Sequence, residues 1–190
     1  MREILFRGRR RDNREWVFGC YYKQSEFYGE KAEGIMIITS SESLCYDQAL
    51  EYYAISEETV GQFTGLYDST KWEDLTDAEK ADFYHQHYIG QDGMSVRFQH
   101  IDDVKHLWEG KKIFEGDIVC YTVPDDSFAY GLVKFCEHGN GGICNVGFYI
   151  DWFRRHDSGW LRKDIGFWAK YREIKVIGNI HDNPELLETA

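Results

Sequence analysis

Apolar and polar residues alternate with a period of two along most of this chain, which is the periodicity of half-buried strands. In ILFRGRRRDNREWVFGCYY, Ile4 and Phe6 alternate with Leu5 and Arg7. Trp16, Phe18 and Cys20 then alternate with Val17 and Tyr21. Asp12 and Asn13 lie between these runs and supply turn chemistry, so residues 4–21 read as a hairpin with its arginines at the end and on the solvent face. KQSEFYGEKAEG reads as a loop or second reversal, and GIMIITS as a short apolar strand. A further strand is expected near Tyr52 to Ile55, with a turn through Ser56–Thr59 into Val60-Gly61-Gln62-Phe63.

The pattern changes between about residues 69 and 110. Thr76-Asp77-Ala78-Glu79 has the spacing of a capping box, in which the Thr76 hydroxyl accepts from the Glu79 N–H and the Glu79 side chain reaches back. It predicts a helix near 76–88 with Leu75, Phe83 and Tyr84 inward. GQDG then breaks the chain, and SVRFQHIDDVKHLWEGKK is read as a short strand and a helical turn. The whole segment is expected to be polar, inserted into a single domain spanning 1–190. Alternation returns at Lys112. GDIVCYT and FAYGLVKFCE form a hairpin about VPDDS, HGNGG turns into ICNVGFYIDWF, and a last strand through Ile174, Val176 and Ile177 ends at Asn183-Pro184 before a short helical ELLE tail. The expected fold class is mainly β with minor α.

Composition supports sheet and narrows function. The 13 Tyr, 12 Phe and 6 Trp suit pleated surfaces. The net charge of -11 argues against a general nucleic-acid binder. The charge is uneven. Residues 1–15 hold six arginines against Glu3, Asp12 and Glu15, leaving about +3 there and about -14 elsewhere. Five cysteines without paired spacing (Cys20, Cys45, Cys120, Cys136 and Cys144) read as reduced core residues. With no signal-like apolar stretch and no run long enough to span a bilayer, a cytoplasmic protein with no membrane partner is expected.

Several constellations invite a chemical reading. Glu115 and Asp117 flank Gly116; two apart on a strand they would lie roughly 6–7 Å from each other on one face, a separation suited to paired acid–base work. Gly-Asp before Ile-Val is also ordinary strand-entry chemistry, which is the reading favoured here. The tract His138-Gly139-Asn140-Gly141-Gly142 lacks the Lys and Ser/Thr of a phosphate loop and reads as a hairpin turn. His85 and His87 are two apart, a spacing that does not share a helix face. Cys136, His138 and Cys144 contain no CxxC unit, so no metal site is expected. His156-Asp157-Ser158 is adjacency in sequence and not triad geometry. No catalytic residues and no cofactor are expected. Arg7, Arg9, Arg10, Arg11 and Arg14, with Phe6, Trp16 and Phe18 beside them, are the cue for nucleic-acid contact; a solvated hairpin end is the plainer reading. Tyr21, Tyr22, Tyr52, Tyr53, Tyr149, Trp152 and Trp160 are candidates for an interface patch, against the plainer reading of a half-buried sheet surface.

Four stretches in order resemble the YopX family of phage and prophage proteins. They are ILFRGRRRDNREWVFG, the run Glu58 to Asp68 (ETVGQFTGLYD), the run Lys112 to Val119 (KIFEGDIV) and the run Val176 to Leu187 (VIGNIHDNPELL). The resemblance departs from the family in one place: the second and third stretches, nearly contiguous in the usual pattern, are here separated by about forty residues. The resemblance implies a mainly β domain with an SH3-like barrel portion, a bacterial host cell, no assigned biochemical activity, and no catalytic residues to carry over. The function expected is a non-enzymatic accessory module that binds a host or phage protein or assembles with itself as a homo-oligomer. Nucleic acid is the alternative, disfavoured partner.

Overall fold

The computed structural model describes residues 4–24, 34–40, 50–87, 98–122, 128–140, 143–154 and 161–188. Among these residues ten strands make two antiparallel sheets. In the first, β1 (Phe6–Arg9) lies between β2 (Trp16–Gln24) and β5 (Gly61–Tyr67); β3 (Gly34–Ser40) and β4 (Leu50–Ile55) extend it beyond β2, and β6 (Lys112–Phe114) closes its other edge. In the second, β7 (Asp117–Thr122) is flanked by β10 (Ile174–Asn179) and β8 (Phe128–Asn140), with β9 (Ile143–Arg154) outside β8. The mainly β expectation therefore holds. The SH3-like portion does not take the form of a closed barrel: among the described residues both sheets are open.

The chain passes from one sheet to the other in the tight turn Glu115-Gly116. Gly116 has φ +84°, a conformation costly for any residue with a Cβ. Its N–H donates to Val133 O at 2.9 Å, and its carbonyl accepts from Ile180 N at 3.0 Å. The bend expected at Gly116 is thus the junction between the sheets.

The main core lies on one face of the second sheet. Val119, Ala129, Val133, Ile150 and Trp152 pack there with Ile113 and Ile174, under Ile165 and Trp168 of helix α2 (Ile165–Tyr171). This helix went unrecognised in the sequence. Asp164 caps it by accepting from Phe167 N, and Ile165 and Trp168, three apart, share its buried face. The indole N–H groups of Trp152 and Trp168 both donate to Arg162 O, at 2.8 and 2.7 Å. Tyr149 and Trp152, candidates for a surface patch, are buried. The last strand ends at Asn179, short of Asn183-Pro184, because Asn179 to Asp182 forms a side-chain-bonded turn; α3 (Glu185–Glu188) follows.

Residues 69–110 hold helix α1 (Asp77–His87) and 3-10 turns at Trp72–Asp74 and Ile101–Leu107. The Thr76 hydroxyl accepts from Glu79 N at 3.2 Å, and the Glu79 carboxylate accepts from Thr76 N at 2.9 Å. The segment is less polar than expected, since Trp72, Leu75 and Val104 make a small separate core with Phe83, Tyr84, Phe98 and Trp108. Residues 98–100, read as part of a short strand, are not strand. Two expected turns, 25–33 and 123–127, lie outside the described residues, as do Cys45, His156-Asp157-Ser158, Trp160, Gly141-Gly142 and the GQDG break. Cys20 and Cys136, expected in the core, are exposed.

Candidate functional site

The four stretches that carry the family resemblance converge on one place in the fold. Arg7 turns inward from β1 and is only 9% exposed, because Phe18 opposite and the Trp16 and Phe114 rings enclose it. Its guanidinium carbon lies 4.9 Å from the centroid of each of those rings. One Nη pairs with Asp117 Oδ1 at 2.5 Å and donates to Glu115 O at 3.2 Å. Asp117, 1% exposed, also accepts from Phe114 N at 2.7 Å, so its carboxylate ties the turn and joins the two sheets. Burial pushes the Asp117 carboxyl up to about 6, against the opposing pull of Arg7 and the Phe114 amide. Burial also raises Glu115. Gly61, from the second stretch, lies so close that a Cβ would come within 2.5 Å of Glu115 O.

The C-terminal stretch closes the site from the other side. Asn179 Oδ1 accepts from His181 N and Asp182 N, at 2.9 and 3.0 Å, fixing a tight turn. Asp182 then accepts from the Trp16 indole N–H at 2.8 Å and pairs with Arg9. Arg9 N donates to Thr59 Oγ1 at 2.9 Å, which in turn donates to Ser56 O at 2.7 Å. The result is a cleft of about 530 Å³ floored by Arg9, Thr59 and His181, with Ser56, Glu58, Arg10, Arg11, Asp12 and Arg14 around it. Burial, with Arg7 and Arg9 nearby, lowers His181, while Glu58 opposes that shift. Burial and the neighbouring guanidinium charges thus favour the neutral imidazole.

The arginines named from the sequence divide among different roles. Arg7 is withdrawn to the interior and is unavailable to a ligand at the surface. Arg9 lines the cleft and is paired with Asp182. Arg10 forms a bidentate pair with exposed Asp12 and lies 4.3 Å from the Tyr53 centroid. Arg11 Nε donates to Ile55 O at 3.0 Å. Arg14 is exposed at the end of the hairpin with φ +63°.

The Asp117 carboxylate is buried in the sheet junction, so it and the partly exposed Glu115 are not presented together to solvent. His87 Nδ1 lies 2.7 Å from Phe83 O and its ring stacks on Phe83, while His85 packs on Tyr84. Among the described residues no group of three or more His, Cys, Asp or Glu could hold a metal ion. Residues missed in the sequence include Asp182, His181 and Asp68. Asp68 is 5% exposed and accepts from Thr70 N, Thr70 Oγ1, Lys111 N and Val176 N, at 2.8–2.9 Å. The one signal for these three was that they lie inside the resembling stretches.

Fold and site together define a mainly β protein whose two open sheets are joined by a buried ion pair beside an arginine-lined cleft. Residues 108–188, from the end of the 69–110 segment through α3, match the family model described as YopX protein. The first two resembling stretches lie outside the matched residues. Neither a curated protein nor a solved structure matches the chain. Among the described residues no helix is long and apolar enough to cross a membrane.

Proposed function

We propose that this protein is a non-enzymatic phage or prophage accessory module of the bacterial cytoplasm, and that it works by binding, first to a second copy of itself. The supporting observation is on the β8–β9 hairpin. Ala129 and Val133 of β8, with Ile150 and Trp152 of β9, turn into the main core. The same face continues outward through Phe135 and Phe148, which are paired across the strands, to Val146. There the cover ends: Phe135 is 49% and Val146 75% exposed. An apolar face continuous with a core and left open marks a contact surface.

The neighbouring backbone suits a twin. β9 is the outer strand of its sheet. Its inner half is capped by Lys163 and Asp164, through Ile150 N to Lys163 O at 2.9 Å and a bridge from Tyr149 to Asp164. Residues 143–148 form the remaining edge. Antiparallel pairing of two such edges about a two-fold axis would merge the sheets and bring both apolar overhangs onto one face. Light scattering across micromolar concentrations tests this: the wild type populates a dimer, and Val146→Lys remains a monomer with an unchanged melting temperature. A wild type that stays monomeric throughout refutes the reading.

Nucleic-acid binding through Arg7, Arg9, Arg10, Arg11 and Arg14 is the weaker alternative. Arg7 is interior, and Arg9 and Arg10 already face Asp182 and Asp12. A gel shift at low salt with DNA and RNA tests it.

A further inference from the structure

We infer that the cleft between the N-terminal hairpin and the Asn179–Asp182 turn binds a single phosphoryl group, such as the terminal phosphate of a small phosphomonoester. Four guanidinium groups line it, from Arg9, Arg10, Arg11 and Arg14, against the carboxylates of Asp12 and Glu58 in the lining and of Asp182, which pairs with Arg9. Guanidinium is the side chain whose fork of donors matches phosphate oxygens. At about 530 Å³ the space falls within the range of small-molecule sites, roughly 300–1,000 Å³.

One backbone detail marks the rim of the cleft. Arg14 holds a left-handed conformation that glycine or asparagine adopts more easily, and it keeps a cation at the rim. Strain of this kind gathers at binding sites.

Charge sets the size of the ligand. A polymeric phosphate backbone needs a run of cations, and among the described residues acidic side chains interrupt the arginines next to the cleft. Glu15 and Glu57 are exposed beside it, Arg7 is buried, and the chain beyond residue 15 carries about -14. One phosphoryl group finds several donors; a long strand meets repulsion on either side.

The probes are inorganic phosphate, by calorimetry at low salt, and a ten-nucleotide thymidine strand, by fluorescence anisotropy. The wild type is expected to bind phosphate. Arg14→Gly, which removes a cation and relaxes the turn, weakens that affinity about fivefold or more without lowering the melting temperature. Asp12→Asn frees Arg10 and tightens it about threefold; because Asp12 is exposed and the change is a gain, loss of structure cannot imitate it. The inference is overturned if phosphate at millimolar concentration gives no binding, or if Asp12→Asn leaves the affinity unchanged. It is equally overturned if the thymidine strand binds and phosphate fails to displace it, which would make the surface a polymer track.

Discussion

At the scale of single residues, Arg7 shows how a charge pattern misleads. Five arginines in eight positions read as a solvated hairpin end, and for Arg14 that placement is correct. Arg7 alternates with Phe6 and Gly8, so its side chain takes the face opposite Phe6, and on that face Asp117 is waiting. Nothing local to residues 4–21 announces a carboxylate more than a hundred positions away. The raised carboxyl of Asp117 gives this pair a pH signature. Its folded value, about 6, exceeds the ordinary 3.8, so its contribution to stability is complete below about pH 4 and is lost as pH rises through 6. The size of that loss is on the order of 3 kcal/mol. Arg7 restrains the loss by attracting the ionised form. Arg7→Met should therefore cost about 1 kcal/mol more at pH 7, where the ionised carboxyl loses its counter-charge until it takes up a proton, than at pH 4, where the carboxyl is neutral. Urea melts of both proteins between pH 4 and 7 test this. A penalty of equal size at both ends would show that Arg7 acts through packing alone.

At the scale of elements, the legible parts of the sequence were those with local causes. Period-two alternation located the β1–β2 and β7–β8 hairpins, and the Thr76–Glu79 box marked the start of α1, because each depends on neighbours within a few positions. Helix α2 escaped because IGFWAKY is rich in residues that also favour strands, and its one helical sign was Asp164 at the cap. The 69–110 segment is a clearer case of element-scale logic. Asp68 N donates to Lys111 O at 2.9 Å, and Lys111 N donates to Asp68 Oδ1 at 2.8 Å, so the segment leaves and rejoins the sheets at one point. It also carries its own core about Trp72 and Val104. Replacing residues 71–109 by two glycines should therefore leave both sheets folded. The cost should be about 1–2 kcal/mol, for the lost Trp108–Thr70 hydrogen bond and the half-exposed Lys111–Glu79 pair. Circular dichroism and a urea melt decide it; loss of the cooperative transition would make the segment an integral part of the fold.

At the scale of the whole molecule, two surfaces with opposite physics stand on one acidic chain. The β8–β9 overhang is apolar, and two copies brought together there each carry -11, so long-range repulsion opposes a contact that burial favours. The hairpin cleft is cationic, and a phosphoryl group is drawn to it by the same kind of force that keeps two copies apart. Salt should separate the two. Moving from 0.01 M to 1 M sodium chloride shortens the Debye length from about 30 Å to about 3 Å. The fraction of dimer at a fixed micromolar concentration should rise over that range, while the affinity for phosphate should fall. Sedimentation velocity and calorimetry on the same preparation measure both. If self-association weakens with salt, the contact between copies is an ion-pair interface and the overhang does not form it. If phosphate affinity is indifferent to salt, the arginines of the cleft do not hold the ligand. Val146→Lys and Arg14→Gly should each remove one of the two trends and leave the other in place, since Val146 lies on β9 of the second sheet, Arg14 lies in the turn between β1 and β2 of the first, and none of the contacts described above joins their surfaces.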